Sequence, residues 1–91
     1  KLYKNVYKYH QPYINTMKNM KLPYISGSEL LKILKRFGFN PVRQRGSHVT
    51  ITNGRIFITI PLHRELDIGT LKSILQDAGI SREEFLKAYR K

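Results

Sequence analysis

Two runs of alternating, β-branched residues meet at Asn53-Gly54, and that junction constrains the chain more than any other stretch. Val49-Thr50-Ile51-Thr52 precedes it and Arg55-Ile56-Phe57-Ile58-Thr59-Ile60 follows it. Asn-Gly is the strongest short-range signal for a two-residue type I′ hairpin, whose central residues both take positive φ. A loop of that length fixes the register. Thr52 then faces Arg55, Thr50 faces Phe57 and His48 faces Thr59, while Ile51 sits beside Ile56, Val49 beside Ile58 and Ser47 beside Ile60. Side chains alternate along a strand, so the aliphatic set is the buried face. His48 projects from the wetter face, beside hydroxyls and near Arg45 and Arg55.

The rest of the chain supplies what that hairpin must pack against. Ser26-Gly27-Ser28-Glu29 has capping-box spacing. Leu30, Ile33, Leu34 and Phe37 follow at helical spacing, and Gly38 closes the helix. Phe39 to Arg45 forms a first strand, held near its start or at a sheet edge by Pro41, which lacks a donor. Gly46 bends the chain into the hairpin. The strands fall at about 41–45, 47–52 and 55–60. Pro61 to Asp67 is a loop, and a second helix begins at Asp67 or at Thr70, with Leu71, Ile74, Leu75 and Ala78 on one face and Gly79 ending it. Ser81-Arg82-Glu83-Glu84 is a second capping box, opening a short helix with Phe85, Leu86 and Tyr89. Both longer helices bury their stripes on the aliphatic face of the sheet, leaving the face of His48 open.

Residues 1–19 differ from the remainder. They hold four tyrosines and four lysines without sustained periodicity, and Pro12 interrupts any helix. They form an N-terminal extension, basic and Tyr-rich, set apart from a domain at 20–91; Met17 and Met20 each offer a translation start. His10, in that tail, is assigned no role.

Ninety-one residues make one domain, and the absence of cysteine excludes a disulfide framework or a Cys-based zinc site. Apolar runs of only a few residues exclude a membrane span, and no signal-peptide core is visible, so a cytoplasmic location is expected. The formal net charge of +11 points to a polyanion or an acidic partner. Its distribution is uneven. Residues 20–63 hold seven Lys or Arg against Glu29 alone, whereas residues 64–91 hold six against five acids. That early scarcity of carboxylates, with only three histidines in all, argues against a metal site, and no cofactor is expected.

A basic chain without metal ligands can still cleave RNA, because the 2′-hydroxyl is a nucleophile already in place. The protein must then supply proton transfer and positive charge for the transition state. Imidazole changes charge near neutrality, which suits His48 to the acid or base role. Arg43, Arg45, Arg55 and Lys72 are the candidate RNA-binding cations. Ser47 points away from His48, so a Ser–His nucleophile pair is rejected. His63 is left open between a second acid or base, a contact to RNA or to an inhibiting partner protein, and a structural cap, with the last two weighed above catalysis.

Four segments carry a resemblance. Ser28-Glu29-Leu30-Leu31-Lys32-Ile33-Leu34 with Gly38-Phe39, then Arg43-Gln44-Arg45-Gly46-Ser47-His48, then Ile60-Pro61-Leu62-His63, then Gly69-Thr70-Leu71-Lys72-Ser73-Ile74-Leu75 with Ala78-Gly79-Ile80-Ser81 stand in that order. From residue 20 to 91 the chain resembles the HicA (YcfA-like) toxins, small mRNA interferases of type II toxin–antitoxin systems. The resemblance implies an α+β fold like that of double-stranded-RNA-binding domains, α-β-β-β-α, with a three-stranded antiparallel sheet, helices on one face and here a short extra C-terminal helix. It implies RNA cleavage that inhibits translation, and a HicB-like antitoxin as partner, the toxin being a monomer alone and part of a hetero-oligomer with the antitoxin. The histidine after Gly-Ser is the family's active-site residue, here His48. Many members carry a polar or His residue beside it; Val49 stands there in this chain. A non-catalytic double-stranded-RNA-binding module of the same fold is the alternative, and an interaction protein whose basic face serves an acidic antitoxin is a third reading.

Overall fold

The computed structural model describes residues 21–91, so the expectations for the extension and for His10 lie outside the described residues. Helix α1 spans Gly27–Lys35 and is followed by β1 (Asn40–Arg45), β2 (His48–Thr52) and β3 (Phe57–Pro61). Helices α2 (Ile68–Ala78) and α3 (Arg82–Tyr89) complete the chain. The three strands form one antiparallel sheet in the order β1-β2-β3, the α+β arrangement the sequence implies.

Local chemistry sets the helix ends. Ser26 and Ser81 each accept a hydrogen bond from the amide three residues on, while Glu29 and Glu84 reach back to the cap amides, so both capping boxes are complete. Asp67 is the N-cap of α2 but makes no side-chain cap bond. After α1, the Phe39 amide donates to the Leu34 carbonyl and the Gly38 amide to that of Lys35, with Gly38 at φ 91. Ile80 to Leu75 and Gly79 to Gln76 repeat the pattern after α2, with Gly79 at φ 71. These are Schellman closures, which need a left-handed residue and therefore favour glycine.

One cluster forms the core. Leu30, Ile33 and Leu34 of α1, Leu71, Ile74 and Leu75 of α2, and Phe85 and Leu86 of α3 pack with Val49, Ile51, Ile58 and Ile60 of the sheet. Full burial of such a side chain stabilises by about 1.5–3 kcal/mol relative to exposure. The helices cover the aliphatic sides of β2 and β3. Every residue of β1 is exposed, so that strand is an edge with water on both sides.

The two hairpins differ from the sequence reading in their turns. Gly46-Ser47 is the two-residue loop: Arg45 pairs with His48, and Gly46 takes φ 55 at the first central position, as a II′ turn requires. Asn53 to Ile56 is a four-residue loop, because Thr52 pairs with Phe57 rather than Arg55. Only Gly54 has positive φ there (94°), whereas a type I′ turn needs two such residues. Side chains hold the wider loop instead. Asn53 Oδ1 accepts from the amides of Arg55 (2.9 Å) and Ile56 (3.0 Å). Thr52 Oγ1 accepts from the Gly54 amide (3.0 Å) and donates to the Ile56 carbonyl (2.7 Å). The register is thus two residues from the expected one, with Ile51 opposite Ile58 and Val49 opposite Ile60. Since the side-chain period is also two, every residue keeps its expected face.

Candidate active site on the open sheet face

Cross-strand partners share a face, so the ladder gives the layout of the uncovered side directly. Arg45, His48 and Pro61 form one row, Arg43, Thr50 and Thr59 the next, and Asn40, Thr52 and Phe57 the last. The tight turn at Gly46-Ser47 sets the first two rows. A bulge between Pro41 and Arg43 leaves Val42 without a partner and lets the edge strand bend away beyond them.

His48 opens β2 at the turn end of the sheet and is exposed. Arg45 is its cross-strand partner and Arg43 stands one row further along the same face, so both arginines lie where a phosphate beside His48 would lie. Ser47 occupies the turn itself. Its carbonyl accepts from the Leu62 amide at 2.6 Å, which carries the β2–β3 ladder one step beyond Pro61.

That extra step brings His63 into the site. His63 lies two residues beyond the cross-strand partner of His48, a diagonal position within reach of large side chains. The two imidazoles stand 6.4 Å apart between ring centroids, with their planes at 75°. The backbone around His63 is tied down at three points. Leu62 bonds Ser47, the His63 carbonyl accepts from the Gly27 amide at 2.9 Å, and the Leu66 amide donates to the Ile25 carbonyl at 2.8 Å. Both imidazoles remain exposed to a ligand.

Arg55 and Lys72 are not brought to His48. Arg55 sits in the wide loop at the opposite end of β2, four residues of strand away, roughly 13 Å at the rise of a β-strand. The expectation that it lies near His48 is corrected: the length of β2 separates the two, and the wider loop leaves Arg55 without a ladder partner. Lys72 belongs to α2 and lines a cleft of the helical layer with Lys21, Leu22, Tyr24, Ile68 and Arg82. Sequence reasoning also passed over Phe57. Alternation puts it on the wet face with His48, and at 70% exposure it is the most exposed large apolar side chain among the described residues. An aromatic residue assigned to the solvent side of a strand was the available signal.

The donor sets are limited: among the described residues, no three His, Cys, Asp or Glu side chains come together as a metal site would require. No helix among those residues is long and apolar enough to cross a membrane. What the open face combines is two imidazoles, two guanidinium groups and strand hydroxyls, a set suited to proton transfer beside a bound anion. A family model described as "HicA toxin of bacterial toxin-antitoxin" matches residues 27–80, from the first residue of α1 to just past α2. No curated protein matches the chain significantly.

Proposed function

The chain belongs to the HicA family, the toxins of bacterial toxin–antitoxin pairs, and on that premise we propose that it is an mRNA interferase, a metal-independent endoribonuclease using His48 as general acid or base. One observation carries this reading. His48 is an exposed imidazole on an uncovered sheet face, directly across the ladder from Arg45. Cleavage proceeds by attack of the 2′-hydroxyl on the adjacent phosphorus, so the protein supplies proton transfer and charge rather than a nucleophile. Arg45 and Arg43 offset charge on the phosphate that His48 serves. Arg55 and Lys72 contribute phosphate contacts away from the reacting atoms, Arg55 from the wide hairpin loop and Lys72 along the helical layer.

The substrate in this reading is mRNA, and its cleavage in the cytoplasm halts translation. A HicB-like antitoxin is the partner. The same open face, with Phe57 exposed at one end and the imidazoles at the other, is the surface such an inhibitor covers, so the toxin is a monomer alone and a hetero-oligomer in the neutralised complex.

The test is RNA cleavage in EDTA by the protein and by His48→Ala, with the new ends identified. Products bearing 2′,3′-cyclic phosphates, reduced at least 100-fold by the substitution, are expected. A folded His48→Ala protein that cleaves as well as the parent would sink the assignment. RNA binding that weakens steeply with salt, without new ends even on translating ribosomes, would turn the reading to a non-catalytic RNA-binding module.

A further inference from the structure

One proton-transfer group leaves the cleavage chemistry incomplete. As the 2′-oxygen bonds to phosphorus, its proton must leave. As the bond from phosphorus to the 5′-oxygen breaks, that oxygen must gain a proton to depart as an alcohol. Two positioned groups, one neutral and one protonated, satisfy both demands in a single passage.

We propose that His63 is the second proton-transfer residue of the reaction, acting with His48 on one phosphodiester. The inference rests on the ribonuclease reading above and deepens it. Its basis is geometric. The rings are 6.4 Å apart and set at 75°, so their nitrogens reach a shared phosphodiester from different directions rather than stacking on each other. Both rings are exposed, and His48 lies between His63 on the β3 side and Arg45 on β1.

The placement of His63 is also secured more heavily than an incidental loop residue requires. Its flanking backbone is bonded to Ser47 in the turn that presents His48, to Gly27 at the start of α1, and to Ile25 before it. Gly27 is buried against this segment, and a Cβ on it would overlap the Pro61 carbonyl oxygen and lie 2.9 Å from Leu62 Cα. The seat of His63 is therefore built from both ends of the site, while its side chain is left free for a ligand. Among the described residues no hydrogen bond from this ring ties it to the loop, and the ring is exposed.

The balanced step follows. One imidazole accepts the 2′-hydroxyl proton while the new P–O2′ bond forms. The P–O5′ bond breaks, its electron pair stays on the 5′-oxygen, and the other imidazole donates the proton that oxygen needs. The products are a 2′,3′-cyclic phosphate and a 5′-hydroxyl end, and the pair keeps its total proton count with the two roles exchanged.

The experiment compares parent, His48→Ala, His63→Ala and His63→Gln on an RNA oligonucleotide and on the same oligonucleotide with sulfur replacing the bridging 5′-oxygen at the cleaved linkage. A thiolate departs without protonation, so loss of the acid matters little on the sulfur substrate, whereas loss of the base still matters. Circular dichroism and thermal melting establish that each variant is folded. Both His63 variants are expected to lose roughly 100-fold or more in cleavage rate on the oxygen substrate. One histidine's variants, and only that one's, recover to within about tenfold on sulfur, which assigns the acid. Folded His63 variants that cleave normally would overturn the proposal, as would a defect that sulfur repairs at neither histidine. A parent protein that cleaves no RNA overturns the ribonuclease reading itself, a result distinct from either.

Discussion

The Gly27 amide donates to the His63 carbonyl at 2.9 Å, joining the first residue of α1 to the segment that leaves β3. Contact this close is possible because Gly27 has no side chain: an added methyl group would meet backbone atoms of Pro61 and Leu62, which cannot swing aside. Gly27→Ala is therefore expected to destabilise by about 1–3 kcal/mol, the range for forcing extra volume into a packed site. Gly69 is the control, since a Cβ there meets nothing within 4 Å and its position within α2 favours alanine. Gly69→Ala should stabilise by up to about 1 kcal/mol. Urea denaturation of the two variants checks both signs, and equal behaviour would refute the steric account of Gly27.

The wide loop makes its own prediction. Thr52→Val replaces a hydroxyl with a methyl group of similar shape at a strand position where valine has the higher β propensity. In a two-residue turn the change would be neutral or stabilising. Here it removes an acceptor for Gly54 and a donor to Ile56, so a loss of about 1 kcal/mol is expected. Asn53→Ala, which strands two amides, should cost a similar amount. A Thr52→Val protein as stable as the parent in chemical denaturation would point to the narrower turn.

Much of this arrangement was legible because it is local. Capping boxes depend on residues three apart, glycine closures on a single φ, and the aliphatic stripe on a period of two, so Ser26, Ser81, Gly38, Gly79 and the buried face of the hairpin could be read directly. The register could not. Asn-Gly serves a type I′ turn or a wider loop closed by the Asn side chain, and the choice falls to contacts elsewhere, among them the Leu62 amide on the Ser47 carbonyl. A slip of two residues preserves faces but moves partners along the strand. It took Arg55 off the ladder and brought Pro61 opposite His48, so His63 became a diagonal neighbour that the expected register would have kept out of reach. The family resemblance named His48; the sequence left the role of His63 open, and the structure stands its ring 6.4 Å from that of His48.

Acid should reveal the second capping box. Glu84 is held below the ordinary glutamate value of 4.5 first by its hydrogen bond from the Ser81 amide, then by the bond with the Ser81 side chain. A carboxylate whose folded pKa is depressed contributes stability that is fully present above the unfolded value and fades as pH falls through the folded one. The window therefore opens near pH 4.5 and extends downward. Glu84→Gln keeps an acceptor but cannot titrate, so its melting temperature should fall less steeply than the parent's across that acid range. Parallel curves for the two proteins would show that the Glu84 bond does not contribute.

Arg45 and Arg55 offer the sharpest separation of catalysis from binding, since both are exposed cations of one hairpin system and differ chiefly in place. Arg45 faces His48 across the ladder, whereas Arg55 lies roughly 13 Å along the strand, in the far loop. A charge of that kind acts on the transition state only where charge develops, and otherwise serves to hold phosphate. Arg45→Gln should lower the single-turnover cleavage rate at saturating RNA by about tenfold, or 1.4 kcal/mol. Arg55→Gln should leave that rate unchanged while reducing the salt dependence of RNA binding by about one phosphate contact. Rates measured at saturation, with binding titrated at several salt concentrations, distinguish the two effects. Equal loss of rate in both variants would mean that the reacting phosphate does not sit at the turn end of the sheet, and the site would have to be moved along the strands toward Phe57.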